Sequence, residues 1–327
     1  MTARPQLADA LHAAWGYART SRAELHASQD AGLRRLVLHA YAQVRYYHKL
    51  FDRHRLHPRH LRGVVDLDLV PLTGRDDLRG LRAADLLAAD ADPGSLLAVP
   101  TADAGGGPFT LYRTWLEDLL QLLHRLRSLD GLGMQPRDRI AVAGAGAAHD
   151  RDRHGLALQL LGLHRRRFFD GTRDPRTVAA ELAAFRPDIL AGTPAMLDRL
   201  AGDGLETAGI RPRLVVAEGK PPMPRLRARL AEAFQAPVRA TYGLGADTLL
   251  AAECPETGAF HVSDGAVLLE VLVDGRPAAA GERGEVALTL LHAYAMPVLR
   301  YRLGHHATRG GPCACGAPFS TIIAPDA

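Results

Sequence analysis

Residues 214–243, LVVAEGKPPMPRLRARLAEAFQAPVRATYG, contain the pattern that decides the fold. Four apolar residues from Leu214 to Ala217 predict a strand, Pro224 to Phe234 predicts a helix, and Val238 to Thr241 predicts a second strand. Strands separated by a single helix pair in parallel, because a parallel connection needs a crossover. The stretch therefore predicts an α/β core with a parallel sheet.

The same alternation extends upstream of this stretch, and no internal repeat interrupts it. In the longest predicted helix, Leu119, Leu122, Leu123 and Leu126 share one face. The predicted strands are Ser95–Pro100, Phe109–Tyr112, Ile140–Ala143, Arg167–Phe169 and Ile189–Ala191, and the helices are Thr114–Leu132, His154–Leu163, Pro175–Phe185 and Pro194–Leu200.

Both ends of the chain have sequence patterns that differ from the alternation of strands and helices in this core. We expect residues 1–90 to form a helical segment packed on the core, with one helix carrying Leu33, Leu36, Val37, Ala40 and Tyr41 on one face and ending near residues 46–48. Residues 91–327 are expected to form the α/β core, whose tail from about residue 265 is β-rich. Strands are predicted at Ala266–Val273, Gly284–Leu291 and Val298–Arg302, with an Asp274-Gly275 hairpin turn after the first.

Composition excludes several classes of protein. The 327 residues are 47% hydrophobic and 23% charged, enough for one elaborate domain or two modest ones. Collagen-like, coiled-coil and disordered classes do not fit. No apolar run is long enough for a membrane span, and the first eleven residues lack the apolar core of a signal peptide. We therefore expect a cytoplasmic protein without a membrane partner.

The charge of +4 does not point to nucleic acid. Only Lys49 and Lys220 are lysines, so 40 − 2 = 38 of the basic residues are arginine, which is typical of coding bias. Acidic residues are interleaved with the arginines, as in Arg151-Asp152-Arg153, and aromatic residues do not alternate with basic clusters. We expect no nucleic-acid partner.

The three cysteines indicate a metal site. An odd number argues against a disulfide framework. Cys254 and His261, followed by Cys313 and Cys315, supply three thiolates and one imidazole, which suit tetrahedral zinc. Four protein ligands leave no position for water, so the expected role is structural. Three unrelated buried cysteines are the alternative.

Seven segments stand out along the chain: Tyr46-Tyr47, Gly192-Thr193-Pro194, Tyr242-Gly243, Glu253-Cys254-Pro255-Glu256 ahead of His261, Ala295-Met296-Pro297, Arg300-Tyr301-Arg302-Leu303-Gly304 and Cys313-Ala314-Cys315-Gly316. Together they resemble the phenylacetate–CoA ligase branch of the adenylate-forming enzymes, which join a carboxylate to AMP and then usually to a thiol. The resemblance implies the N-terminal domain of that superfamily, with mixed and parallel sheets flanked by helices and a β-rich C-terminal part. It also implies zinc at the four metal-ligating positions.

The resemblance further implies a mobile C-terminal domain that carries an adenylation lysine and closes for thioester formation. The chain stops at Ala327, about where that domain would begin, and neither lysine of the chain is placed to replace the missing one. We therefore expect the mobile domain to be absent and the chain to form no CoA thioester.

The expected phosphate loop departs from the family pattern. Its pocket residues are Thr101, Asp103 and the glycines at 105, 106 and 107. Backbone amides of consecutive glycines can bind an anion. However, Asp103 adds a negative charge, and Gly107 stands where the resemblance implies a lysine. A tight turn between two strands is the alternative interpretation.

Three further motifs of the implied ATP site are altered. Ala246 follows Tyr242-Gly243 where the resemblance implies a magnesium-binding glutamate, and Asp247 is one position late. Lys220, after Gly219, replaces an expected acid. His305 and His306 follow Gly304 where an aspartate would bind the ribose. We still expect Thr193, Gly219, Tyr242, Gly243, Asp247 and Arg300 to line the inherited pocket, while ATP and magnesium binding stand in doubt.

Histidines are the candidate catalytic residues, because imidazole titrates near neutral pH and can act as a general base. We select His154, His305 and His306 from the fifteen histidines of the chain. No Gly-x-Ser-x-Gly elbow or zincin motif is present.

These observations favour an atypical phenylacetate–CoA ligase-like protein of bacterial specialised metabolism. It is expected to bind, and to process, an aromatic or polyketide-like acyl substrate without normal adenylation or thioester formation. A stand-alone adenylase that makes acyl-AMP and a non-catalytic scaffold subunit are the alternatives. Each of these functions is compatible with a carrier protein or a partner enzyme. The sequence leaves the oligomeric state open, and a dimer is compatible with it.

Overall fold

A computed structural model of the chain describes residues 20–101, 109–144, 162–163, 165–202, 209–244 and 248–326. The chain divides into two compact units, of which the first comprises residues 1–127 and 256–327 and the second residues 128–255. The division at residue 90 that the sequence suggests stays a prediction. No helix of the described ranges has both the length and the apolar character required to cross a membrane.

Among the described residues, the first helix is α1 (Arg22–Gln43), which starts with a capping box. The backbone N–H of Glu24 donates to Ser21 Oγ (3.3 Å), and the N–H of Ser21 donates to the Glu24 carboxylate (2.8 Å). The predicted face is confirmed for Leu33, Leu36, Val37 and Ala40, which are buried. The predicted end near residues 46–48 is wrong, because Val44 is extended and Tyr46 and Tyr47 lie in a second helix, α2 (Arg45–Arg53).

Short elements connect α2 to the first strands. These are 3₁₀ turns at Pro58–His60, Val64–Leu69 and Pro93–Ser95, and the one-turn helices α3 (Arg75–Leu78) and α4 (Ala83–Leu86). Strands β1 (Leu97–Thr101) and β2 (Phe109–Arg113) then pair antiparallel, as the predicted strands here require.

Helix α5 (Trp115–Gly131) contains the boundary between the units, which falls after Arg127. The four leucines predicted to share a face do share one, but this face is not the most buried face of the helix. Leu119, Leu122, Leu123 and Leu126 are only half-buried. The buried positions are instead Glu117, Leu120, Gln121, His124, Arg125 and Leu129, which include four polar residues.

In the described residues of the second unit, the strands lie side by side in the order β8-β7-β6-β5-β3-β4. Its elements are β3 (Arg139–Gly144), β4 (Arg165–Asp170), α6 (Pro175–Phe185), β5 (Ile189–Gly192), α7 (Pro194–Gly202), β6 (Leu214–Ala217), α8 (Pro224–Phe234), β7 (Val238–Leu244) and β8 (Thr248–Glu253). Strands β3 to β7 are parallel to their neighbours, whereas β8 runs antiparallel to β7. The predicted parallel α/β core is therefore confirmed.

Burial explains why this sheet holds together. Strands β5 and β6 are buried along their whole length. Their side chains pack with residues of β3 and with Leu129, Leu132 and Met134 in one apolar cluster. Each buried Ile, Val or Leu side chain contributes about 1.5–3 kcal/mol through the hydrophobic effect.

The first unit resumes after residue 255 with a sheet in the order β11-β10-β12-β13-β14-β9. Its strands are β9 (Phe260–Val262), β10 (Val267–Val273), β11 (Arg276–Pro277), β12 (Arg283–Leu290), β13 (Tyr301–Arg309) and β14 (Thr321–Asp326), and their pairings are antiparallel. The β-rich tail is confirmed. Asp274 and Gly275 form the predicted hairpin turn, with φ of 51° and 79°. The predicted strand at Val298–Arg302 is wrong, because the strand starts at Tyr301 and continues to Arg309.

Two histidines in the first unit, the buried His124 and the half-buried His292, predict acid sensitivity. The rings of His124 and His292 stack with centroids 5.5 Å apart. Burial lowers the pKa of His124 well below its usual range, helped by His292 and Arg127, and burial also lowers the pKa of His292. Below a pH of about 6.5 the unfolded chain therefore binds more protons than the folded chain, and stability falls as the pH falls.

We expect the free energy of unfolding to change little above pH 7 and to fall between about pH 6.5 and pH 5, by about 1.4 kcal/mol per pH unit for each histidine, which lowers the thermal midpoint. His124→Gln or His292→Gln should make this pH dependence shallower, whereas His306→Gln, at an exposed site on β13, should not. Scanning calorimetry across this pH range tests the expectation. An unchanged pH dependence in both the His124→Gln and the His292→Gln variants would contradict it.

Candidate metal centre and strand-end cluster

Four side chains predicted to ligate a metal come together. Among the described residues, one ligand atom from each of Cys254, His261, Cys313 and Cys315 lies within 4.8 Å of all the others. Cys315 Sγ is 3.4 Å from His261 Nε2. A tetrahedral zinc ion with ordinary Zn–S and Zn–N distances places its sulfur and nitrogen ligands about 3.6 Å apart. The separation therefore fits two ligands of one ion.

Two strands and one loop position the four ligands. Cys254 directly follows β8 and is buried, and His261 is the central residue of β9, opposite Thr321 of β14. Cys313 and Cys315 lie in the loop between β13 and β14, where the N–H of Gly316 donates to Cys313 O (3.0 Å). Gly316 has a φ of 79°, which favours glycine.

The environment of the four ligands suits metal binding. Burial lowers the pKa of His261, with Arg127 acting in the same direction, so the imidazole is neutral and free to coordinate at neutral pH. Thr257 Oγ1 lies 3.2 Å from Cys313 Sγ, and the His261 and Phe319 rings are 5.9 Å apart. The sequence patterns did not identify Thr257 or Phe319, which are common residue types without a ligand role of their own. The cluster can hold a metal ion such as zinc.

A second set of predicted residues gathers in the second unit, where the parallel strands end. We call Gly192-Thr193, Glu218-Gly219 and Tyr242-Gly243 the strand-end cluster. The N–H of Glu218 donates to Gly192 O (2.8 Å), and the N–H of Gly243 donates to Gly219 O (3.1 Å). In open α/β sheets, ligands bind beyond the carboxyl ends of the strands. The cluster occupies that position.

Individual members of the strand-end cluster differ in exposure. Thr193 is exposed and its Oγ1 accepts from the N–H of Met196 (3.3 Å) in the first turn of α7. Gly219 is half-buried with a φ of 92°. Tyr242 is fully buried, as a core tyrosine at a strand end would be. A Cβ at Gly243 would lie 2.5 Å from Thr248 O, so this position requires glycine.

The other predicted pocket and catalytic residues that the structure describes lie in the first unit. Thr101 is buried at the end of β1. His305 and His306 are neighbours on β13, so their side chains point to opposite faces: His305 is buried and His306 is exposed. The other predicted residues, Asp103, Gly105, Gly106, Gly107, His154 and Asp247, lie outside the described residues.

Arg300 is held in a dense set of polar contacts. Its Nε and Nη2 donate to the two carboxylate oxygens of Glu270 (2.9 and 2.8 Å), and Nη1 donates to Asp68 O and Val70 O (3.1 and 2.8 Å). The side chain is 3% exposed. These bonds occupy the guanidinium, so Arg300 acts on the first unit's structure, while a role in a pocket stays a prediction.

Two more buried groups fix the segment that leads to Arg300. Tyr47 Oη donates to Pro297 O (3.1 Å) and accepts from the N–H of Leu299 (3.0 Å). The Glu117 carboxylate accepts from the N–H groups of Tyr294 and Ala295 (2.7 and 2.8 Å). The segment that contains Ala295-Met296-Pro297 is therefore bonded to both α2 and α5.

Comparison with known proteins shows which enzymes the chain resembles. The phenylacetate-coenzyme A ligase of Escherichia coli is 28% identical over 303 residues, covering 85% of this chain and 66% of that protein. The enzyme of the same name from Thermus thermophilus is 27% identical over 309 residues, covering 86% of this chain and 65% of that protein. The chain is a distant homologue of the phenylacetate–CoA ligases.

Solved structures show that this phenylacetate–CoA ligase homologue has the adenylate-forming ligase fold. An open conformation of 2-hydroxyisobutyryl-CoA ligase, in complex with 2-HIB-AMP and CoA, superposes with a TM-score of 0.75 at 18% identity, covering 89% of this chain and 72% of that chain. The anthranilate CoA ligase AuaEII in complex with anthranoyl-AMP gives a TM-score of 0.51 at 17% identity, covering 76% and 50%. No family model matches the chain.

The homologue spans about two thirds of the length of its curated relatives. The family resemblance drawn from the seven sequence segments and the implied N-terminal-domain fold are thus confirmed. The similarity does not carry the relatives' activity to this chain.

Proposed function

We propose that this homologue binds an aromatic or polyketide-like carboxylic acid, or its acyl derivative, at the strand-end cluster without carrying out the family's usual ATP-dependent adenylation. The observation that carries the proposal is the pair His305 and His306. They stand where the resemblance implies the ribose-binding aspartate. A carboxylate accepts several hydrogen bonds, whereas a neutral imidazole accepts one.

The geometry of β13 strengthens this reading. His305 faces the interior at 3% exposure, and His306 faces the opposite side with its backbone N–H donating to Asp326 Oδ1 (2.8 Å). Neither side chain reproduces a carboxylate in the implied position. This supports the proposed loss of the family's contact with the ribose hydroxyls.

Lys220 supports a carboxylic acid as the substrate. It is exposed and directly follows Gly219 of the strand-end cluster, so it places a positive charge at the ligand-binding edge of the second unit. Met223 lies three residues further on and is 77% exposed, which adds apolar surface. A cation beside apolar surface suits an organic acid with a hydrophobic body.

The metal centre has a structural role in this proposal. Three cysteines and one histidine complete the coordination of zinc and leave no open position for water or substrate. The centre therefore supplies stability and no chemical step.

Calorimetry with ATP and magnesium tests the proposed loss of adenylation. We expect no binding in the micromolar range and no carboxylate-dependent pyrophosphate exchange across a panel of aryl acids. The E. coli phenylacetate–CoA ligase serves as the positive control. Exchange by this chain would overturn the proposal and favour a stand-alone adenylase.

Lys220→Glu provides the matched test of substrate binding. It should weaken the binding of those aryl acids that the unmodified chain binds by about tenfold, because the positive charge beside the ligand's carboxylate becomes negative. Arg225→Glu, which makes the same charge change at an exposed site on α8, should have little effect. Native mass spectrometry of freshly isolated protein would identify a retained acid. Absence of any bound acid, with no binding across the panel, would favour the scaffold alternative.

A further inference from the structure

The second unit carries a concentration of arginines where its parallel strands begin. Within three residues of the first residues of β3, β4, β5, β6 and β7, the sequence contains nine arginines, two aspartates, no glutamate and no lysine. The whole chain, in contrast, has 40 basic and 36 acidic residues. We call this set the arginine edge: Arg137, Arg139, Arg165, Arg166, Arg167, Arg186, Arg211, Arg213 and Arg239.

Strand pairing brings these residues to one edge of the sheet. Neighbours β4-β3, β3-β5, β5-β6 and β6-β7 are all parallel, so their first residues lie side by side. Backbone bonds join the segments before the strands: the N–H of Asp188 donates to Arg139 O (2.9 Å), and the N–H of Arg213 donates to Asp188 O (2.8 Å). The concentration in sequence is thus a concentration in space.

Both aspartates at this edge are already paired. Asp188 forms an ion pair with Arg139 (3.2 Å), and Asp138 forms one with Arg213. Five arginines are exposed and have no acidic partner within 4 Å in the described part of the chain: Arg137, Arg165, Arg167, Arg186 and Arg211. The edge therefore keeps an excess of positive charge after its internal pairs are formed.

Prolines restrict the backbone near four of the five strand starts at this edge. Pro136, Pro187, Pro212 and Pro237 precede β3, β5, β6 and β7, and Pro187 and Pro212 are buried. Proline fixes its own φ and restricts the residue before it. This restriction lowers the backbone entropy that is lost when a partner binds.

We propose that the arginine edge is a docking surface for an acidic protein that presents carboxylates along one face of a helix. Five strand starts at about 4.8 Å spacing extend over about 19 Å. A helix rising 1.5 Å per residue covers that distance in about 13 residues. The planar guanidinium forms paired hydrogen bonds with carboxylates, as the Arg139–Asp188 pair at this edge already does with Nε (3.2 Å) and Nη2 (3.5 Å).

A protein fits this edge better than nucleic acid or a lipid surface. Single-stranded nucleic acid uses exposed aromatic rings for stacking. Phe168 is the aromatic residue within three positions of these strand starts, and it packs against the apolar cluster of the unit. None of the exposed large hydrophobic side chains of the described residues, which a membrane surface would take up, lies at this edge.

The docking surface is separate from the proposed substrate position. Parallel strands begin at one edge of a sheet and end at the other, and the strand-end cluster lies at the ends. A partner on the arginine edge would leave the strand-end cluster open. The inference therefore stands independently of the proposed function.

Fluorescence anisotropy with the full chain tests the proposal. The probe is a labelled synthetic helical peptide with glutamates along one face, and the same peptide with glutamines is the control. We expect binding of the glutamate peptide that weakens with salt. Arg165→Glu with Arg211→Glu should weaken it by about tenfold or more. Arg176→Glu with Arg225→Glu, the same charge change at exposed sites on α6 and α8, should change it by less than about twofold.

Several outcomes would overturn the proposal. Equal weakening in the two double variants would show non-specific attraction by net charge. Tighter binding of duplex DNA or of anionic phosphatidylglycerol vesicles than of the peptide, dependent on Arg165 and Arg211, would assign the edge to nucleic acid or lipid. If the charge-reversed variant has a lowered thermal midpoint, Arg165→Gln with Arg211→Gln replaces it, and unchanged peptide binding by that variant counts against the proposal.

Discussion

Glu270→Gln is expected to lower the free energy of unfolding of the first unit by about 3–5 kcal/mol, the usual cost of removing one partner of a buried ion pair. Glu270 holds the Nε and Nη2 of Arg300 at 2.9 and 2.8 Å, and the arginine side chain is only 3% exposed. The substitution leaves a guanidinium charge buried beside a neutral amide. Denaturant unfolding monitored by circular dichroism measures the loss.

An exposed pair of the same chemistry provides the matched control. Arg276 and Glu282 also form a two-pronged arginine–glutamate contact (3.0 and 3.1 Å), but their side chains are 57% and 38% exposed. Glu282→Gln should therefore destabilise much less, because water solvates both groups. A loss as large as that of Glu270→Gln would contradict the argument from burial.

A third variant separates the pair's charge from its packing. Arg300→Met combined with Glu270→Leu removes both charges and keeps apolar volume, so it should be less destabilising than either single loss of charge. Arg300 has a φ of 44°, and methionine, like arginine, has a Cβ, so the backbone strain is similar in both proteins. Arg300→Met alone should resemble Glu270→Gln.

Local signals were sufficient to predict the parallel core. Helices at Pro175–Phe185 and Pro224–Phe234 have the bounds that the sequence predicts, because each begins at a proline, which suits the first helical position. Strand Leu214–Ala217 is also where an isolated apolar run predicts it. Where residues that are close in sequence decide the structure, sequence patterns are sufficient to predict it.

Contacts between distant residues account for the errors. Val298 and Leu299 are apolar enough for a strand, but Tyr47, about 250 positions earlier in the chain, bonds to the backbone at Pro297 and Leu299 and holds it outside β13. Helix α5 buries Glu117 because the backbone of Tyr294 and Ala295 donates to its carboxylate. Periodicity contains no information on such partners.

The candidate site shows the same division. The spacing of the cysteines and His261 was sufficient to predict that the four candidate metal ligands lie together. These residue types have few other reasons to recur at short intervals. Arg300, by contrast, belongs to a family motif, yet its partner Glu270 has no motif of its own. A motif identifies an important residue, but only the fold shows what that residue touches.

Removal of the metal is expected to have the second large effect. Freshly purified protein should contain about one zinc ion per chain, released by a thiol-modifying reagent and counted with a colorimetric indicator. Because the ligands converge only in the folded chain, the free energy of metal binding adds to the free energy of folding. A loss of about 3–5 kcal/mol on chelation corresponds to a fall in the thermal midpoint of about 6–20 °C for a unit of this size.

His261→Gln and His306→Gln form the matched pair for this prediction. Both residues lie on strands of the first unit, but only His261 is within reach of the three cysteine sulfurs. His261→Gln should lower the zinc content and the midpoint and make the midpoint insensitive to chelator, whereas His306→Gln should keep all three properties. If fresh protein holds no metal and chelators leave the midpoint unchanged, the three cysteines are structural neighbours without a shared ion. The chelator response thus decides between a zinc site and three unrelated buried cysteines, the two interpretations that the sequence left open. Thiols that only pack as small apolar groups bind no zinc, so a chelator would not change the free energy of unfolding.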